Sequence, residues 1–150
     1  MGYQTPKIAQ DVRRLRWEIE NAVRGFPRFH RYQSGTELRE QVKVVQRTVN
    51  RAWTDKDNPD RQAQWLNRLE QEIDQLKADM QLAQDIRAFN TPGQFRHLYV
   101  QAGEIGRQAH GWRMAQQQKH PSAQNPQGRR AVAERGRTLS TDAAPARANS

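Results

Sequence analysis

The sequence predicts an all-α protein: an antiparallel up-and-down four-helix bundle over residues 1–117, followed by a disordered basic tail over residues 118–150. Three observations carry this reading. Large apolar residues recur at spacings of three and four along four separate stretches, the mark of a helix that buries one stripe. Short segments rich in Gly, Pro, Asn and Asp separate those stretches. From residue 118 the stripes stop and the composition turns to Pro, Gly, Ala, Ser, Asn, Gln and Arg.

Over residues 5–24, Ile8, Val12, Leu15, Ile19 and Val23 share one helical face, and Gly25 ends the helix. Pro27 biases Phe26 away from helical geometry, so Phe26-Pro27-Arg28-Phe29-His30-Arg31-Tyr32 reads as a connector, with Phe26 and Tyr32 plugging the bundle end. Ser34 is placed to cap a second helix, and Glu37 three residues on completes a capping box. Leu38, Val42, Val45, Val49 and Ala52 form the second stripe, which ends near Trp53 before a polar loop over residues 54–58. Pro59 suits the first turn of a third helix, whose stripe of Leu66, Leu69, Ile73, Leu76, Met80 and Ala83 keeps a seven-residue rhythm and is expected to run through to Phe89. Asn90-Thr91-Pro92-Gly93 breaks it. Thr91 caps and Pro92 opens a fourth helix, striped by Phe95, Leu98, Ala102, Ile105, Ala109 and Trp112. Four such helices joined by short loops most simply pack as an antiparallel bundle. In the tail, Val132 and Leu139 are the only large aliphatics, too few to offset chain entropy.

With 35% apolar residues and a mean hydropathy of −1.10, the core must be narrow and the surface unusually polar. Lys and Arg number 25 against 16 Asp and Glu, for a formal charge of +9. Such a balance suits a polyanionic partner, nucleic acid before an anionic membrane, and not a small-molecule substrate. The absence of Cys excludes disulfides, thiolate metal sites and a Cys nucleophile, and fits a reducing, cytoplasmic location. No apolar run approaches the roughly 20 residues of a membrane span, and residues 1–10 lack a signal-peptide core, so a soluble protein with no membrane partner is expected. The charge is segregated: residues 57–91 carry four bases against seven acids, whereas every other segment is net positive.

Within the second helix Arg39, Lys43, Arg47 and Arg51 follow one another at spacings of four, a slanted row about 18 Å long. Like charges so placed cost about 0.2–0.5 kcal/mol per pair, so something anionic is expected against them, the alternative being a solvated face helped by Glu40. On the first helix Arg13, Arg16, Trp17 and Arg24 project opposite the apolar stripe, which exposes a Trp among arginines, suited to stacking on a base or to a subunit contact. Arg28 and Arg31 in the connector cannot be buried without partners and suit phosphates.

Signals for catalysis are weak. No Glu has a His three residues later, so a di-iron bundle is excluded. His97 and His110 lie about 220° apart around the fourth helix and cannot share a metal. Glu70 and Asp74 share a face, but Lys77 one turn on gives the pair an ordinary ion-paired explanation. Ser34 is claimed as a cap and the other serines lie in the tail, so a Ser-His-acid site has no rigid place. No cofactor motif is present. Gly103, Gly106 and Gly111 fall inside the fourth helix, where each costs about 0.8–1 kcal/mol relative to Ala, so close helix contact is expected to compensate.

Two stretches carry a resemblance: Phe26-Pro27-Arg28-Phe29-His30-Arg31-Tyr32 with Gly35 and Leu38, and Glu104-Ile105-Gly106-Arg107-Gln108-Ala109-His110-Gly111-Trp112. Over about residues 5–117 the chain resembles the bacterial four-helix-bundle family that contains the accessory variability determinant protein of diversity-generating retroelements. The resemblance implies a homopentamer with a basic surface, which binds the element's reverse transcriptase and its template RNA, or an RNA/DNA hybrid, during mutagenic complementary-DNA synthesis. It carries a binding role onto Arg28, Arg31 and Arg107. Family members often show a Gly pair before the fourth-helix Trp, where this chain has His110 in the first position, and the basic tail exceeds the usual end of the fold.

A non-catalytic subunit is therefore expected, with RNA held by Arg13, Arg16, Arg24, Arg28, Arg31, Arg39, Lys43, Arg47, Arg51 and Arg107. Trp17, Phe29, Tyr32 and Trp112 are the candidates for a partner or subunit contact. The alternative is a structural oligomeric bundle of the type encoded within intervening sequences of ribosomal RNA genes, with no specific RNA ligand.

Overall fold

A computed structural model describes residues 5–121, and these residues form four helices with no strand among them. Helix α1 spans Lys7–Arg24. Helix α2 covers residues 28–54 as one continuous run: a turn over Arg28–His30, a π-helical segment over Arg31–Gly35, and an α-helix over Thr36–Thr54. Helices α3, Pro59–Asp85, and α4, Pro92–Lys119, are the long ones at 27 and 28 residues. The helices pack in a ring, α1 on α2, α2 on α3, α3 on α4 and α4 on α1, with no packing across either diagonal. Short loops joining ring neighbours make this the up-and-down bundle the stripes predict. The basic tail expected from residue 118 lies, beyond residue 121, outside the described residues.

Every large aliphatic of the four stripes faces the common core. Leu15, Ile19, Leu38, Val49, Leu66, Leu69, Met80 and Leu98 are essentially inaccessible, and Phe95 and Trp112 pack against them half-buried. The fourth-helix cap is as expected: the Thr91 hydroxyl accepts from the Gln94 N–H at 3.1 Å. Asn58, read only as part of a polar loop, caps the third helix in the same way, accepting from the Arg61 N–H at 3.2 Å ahead of Pro59. Both helices begin with a Pro whose missing N–H is one the first turn leaves unbonded anyway.

The start of α2 differs from the sequence reading. Pro27 does not hold the chain in a connector; it precedes the helix directly, and His30 and Arg31 both donate to its carbonyl at 2.9 Å. Ser34 is consequently no cap. It is buried inside the helix, with no capping bond to the Thr36 turn. The wide π turn coincides with Gly35, where an added Cβ would stand 2.6 Å from Val23 Cγ1, so the buried Val23 side chain of α1 occupies the space a side chain there would need. Phe26 plugs the bundle end as expected, edge-on to Phe89 at 5.1 Å. Tyr32, expected beside it, is instead 69% exposed, because the helical start turns it outward.

Helix α3 stops at Asp85, short of Phe89. Its C-terminus closes with two reverse bonds, Arg87 N–H to the Gln84 carbonyl at 2.9 Å and Ala88 N–H to the Ala83 carbonyl at 2.8 Å. Arg87 takes φ 61° to allow this. A left-handed residue in that position is usually Gly; here it is Arg, so the composition carries no stop signal.

Candidate nucleic-acid interface

The row Arg39-Lys43-Arg47-Arg51 does not present a single face. A step of four residues advances about 40° around a helix, and over the length of α2 this carries the row from the α1 side to the α3 side. Arg39 and Lys43 line a groove of about 480 Å³ between α1 and α2, together with Arg13, Arg16, Trp17, Glu20 and Gln46. Arg47 and Arg51 line a second groove of about 440 Å³ between α2 and α3, with Trp65, Arg68, Thr48 and Glu72.

In the first groove much of the charge is matched. Arg39 donates twice to Glu20, at 2.9 and 3.0 Å, and Arg24 stands 3.5 Å from the same carboxylate. The Arg39 hydrogen bonds hold the Glu20 carboxyl below its ordinary value, against the opposing effect of burial. Lys43 pairs loosely with Glu40 at 3.4 Å. Arg16 donates to the neutral Gln46 amide at 2.5 Å and so keeps its charge unmatched. Arg13 is exposed with no acid within ion-pair distance among the described residues. Trp17 is 65% exposed among these cations, as its place opposite the stripe requires.

The second groove has three arginines against one carboxylate. Arg51 and Arg68 lie over the Trp65 ring, 5.2 and 5.4 Å from its centroid, and the indole N–H is fixed by Asp55 at 2.8 Å. Arg47 is exposed, and Glu72 is the one carboxylate lining the site. Arg68 and Trp65 escape the sequence reading, because they belong to the helix whose net charge is negative. The acids of α3 from Glu70 onward hide the bases near its start, Arg61 and Arg68.

The remaining candidates lie apart. Arg28, Phe29 and Tyr32 are exposed together at the start of α2, Phe29 at 84%. Arg31 is half-buried and donates to the Phe26 carbonyl at 3.3 Å, which ties it to the turn. Arg107 is on the opposite side of the bundle, paired with Glu104 at 3.4 Å, and lines an α3–α4 groove with Glu70, Asp74 and Lys77. Trp112 is partly buried and packs against the core.

That α3–α4 groove revises two expectations. Glu70 is not paired with a neighbour on its own helix; it takes the guanidinium of Arg113 and the His110 ring of α4. Lys77 lies over the Tyr99 ring at 5.3 Å instead of pairing with Asp74. The α4 glycines are not closely packed either: a Cβ at Gly111 would meet nothing within 4 Å, and one at Gly106 would make ordinary contact with Ile73. Their missing side chains leave an open trough in place of a tight helix crossing.

His97 is exposed and bonds Glu18 and Gln101 at 3.2 and 3.1 Å. Among the described residues no group of three His, Asp or Glu side chains is placed to hold a metal ion, and no helix is long and apolar enough to cross a membrane. No family model, curated protein or solved structure matches the chain.

Proposed function

We propose that the chain is a non-catalytic accessory subunit of a diversity-generating retroelement. In this reading it assembles as a homopentamer, holds template RNA or an RNA/DNA hybrid on its α1–α2–α3 face, and docks the reverse transcriptase. The observation that carries RNA binding is the gathering of guanidinium groups from three helices around two adjoining grooves, with Trp17 exposed among them. Such a surface draws a phosphate backbone because each neutralised phosphate releases counter-ions, and an exposed indole adds stacking on unpaired bases. Phe29 and Tyr32, exposed beside Arg28, are the surface assigned to the protein partner, since aromatic residues and Arg concentrate at the centres of interfaces. The retroelement assignment itself rests on the motif resemblance within residues 26–38 and 104–112.

The test is the mass of the purified protein by light scattering, at high salt and then with the RNA transcribed beside its gene. A particle of about five times 17.5 kDa that takes up this RNA, with an affinity falling steeply as salt rises, is the expected result. A monomer indifferent to that RNA would remove the reading.

A further inference from the structure

The α2–α3 groove holds a chemistry that backbone binding alone does not use. Glu72 lies among Arg47, Arg51 and Arg68. Arg68 Nε stands 3.7 Å from its Oε2, and Thr48 lines the groove beside the carboxylate. Its Oε1 is buried with no hydrogen-bond partner among the described residues. An orphaned buried acceptor costs free energy and calls for a donor from outside. Burial pushes the Glu72 carboxyl above its ordinary value in spite of Thr48 and the nearby arginines. Arg47, exposed beside it, is long enough to swing outward and admit a ligand to the carboxylate without disturbing the core.

Two cations are free for an anion beside this acceptor. Arg47 and Arg51 stand one turn apart, about 6 Å along α2, and neither has an acid within ion-pair distance among the described residues. Trp65 holds Arg51 and Arg68 near fixed positions through its ring. The groove volume of about 440 Å³ matches a small ligand.

We propose that this groove binds a guanosine 5′-phosphate unit of single-stranded RNA, Glu72 accepting from the base and Arg47 and Arg51 holding the phosphate. The source of the nucleotide rests on the RNA-binding reading above. Guanine alone among the four bases presents two adjacent N–H donors on its Watson–Crick edge, and an ionised carboxylate is an acceptor only. Uracil presents one N–H between two carbonyl oxygens, which Glu72 repels. The forked guanidinium donors of Arg47 and Arg51 fit phosphate oxygens in pairs.

The full chain is titrated by fluorescence anisotropy, at one salt concentration, against a labelled oligouridylate of about twelve nucleotides and against the same oligomer with guanosine at internal positions. The guanosine oligomer is expected to bind about tenfold more tightly, the scale of one good bidentate base contact. Replacing guanosine by inosine, which lacks the 2-amino group, or replacing Glu72→Gln, should bring the affinity to within about twofold of the oligouridylate. Equal affinity for the uridine and guanosine oligomers overturns the guanosine site and leaves RNA binding standing; no binding to either overturns both. If the Glu72→Gln protein does not fold, the inosine oligomer decides, because it leaves the protein unaltered.

Discussion

The guanidinium of Arg39 closes two hydrogen bonds on the Glu20 carboxylate, at 2.9 and 3.0 Å, across the seam between α1 and α2. Arg39 is the first of four cations in a regular row, and this contact removes it from the count of free charges. Arg39→Gln is expected to cost about 0.2–1 kcal/mol at neutral pH, the range for a partly exposed pair. Glu20 titrates below its unfolded value, chiefly through the Arg39 bonds. Its stabilisation is therefore present above the unfolded value, near pH 4.3, and is lost as pH falls through the lower folded one. The melting-temperature gap between wild type and Arg39→Gln should narrow between about pH 5 and pH 3. A gap constant over that range would show that the pair does not contribute.

The cation row divides between two grooves, so its members should not contribute equally to RNA affinity. Arg47→Gln with Arg51→Gln is expected to weaken binding more than Arg39→Gln with Lys43→Gln, because Glu20 and Glu40 already face the latter two. Each phosphate that a variant leaves unneutralised should reduce the slope of log affinity against log salt by about one. Salt titrations of the two double variants, with helicity checked by circular dichroism, make the comparison. Equal weakening in both would discard the distinction between the grooves.

Two glycines should respond oppositely to Ala. At Gly35 the new methyl would stand 2.6 Å from Val23, itself fully buried, so the α1–α2 contact must spread, for a destabilisation of about 1–3 kcal/mol. At Gly111 nothing stands within 4 Å and the backbone is helical, so Ala should add about 0.8–1 kcal/mol. Urea denaturation of both variants measures this. A lower stability at Gly111→Ala would mean that another chain fills the trough in solution.

Arg87 adopts a left-handed conformation at the end of α3 with no glycine to ease it. Arg87→Gly should therefore stabilise the chain by about 1 kcal/mol, by removing the Cβ clash of that conformation. Denaturation midpoints of the variant and wild type test the geometry. An unchanged or lower midpoint would argue against the left-handed turn.

The helices and their buried faces are legible in the sequence because helical periodicity is local: Leu66, Leu69, Ile73, Leu76 and Met80 announce a stripe through spacing alone, and all are buried. The Thr91 cap is legible for the same reason. The beginning of α2 and the end of α3 are not. Pro27 and Ser34 carry the signals of a connector and a cap, but burying Phe26 against Phe89 and fitting Gly35 under Val23 favour an early start with a wide turn. The α3 stop depends on Arg87 in a conformation that composition does not advertise.

The site divides along the same line. Residue order and helical spacing are enough to count the cations, to put them on the outer faces of α1 and α2, and to stand Trp17 among them. Which of them are matched follows from helix packing, since Glu20 reaches Arg39 across a helix seam from 19 positions away. Packing also brings Arg68 and Trp65 of a net acidic helix against Arg47 and Arg51, and leaves one oxygen of Glu72 without a partner among the described residues. Charge is counted along the chain, but an ion pair, a cation over a ring or an orphaned acceptor depends on distances between helices, which packing of the core sets.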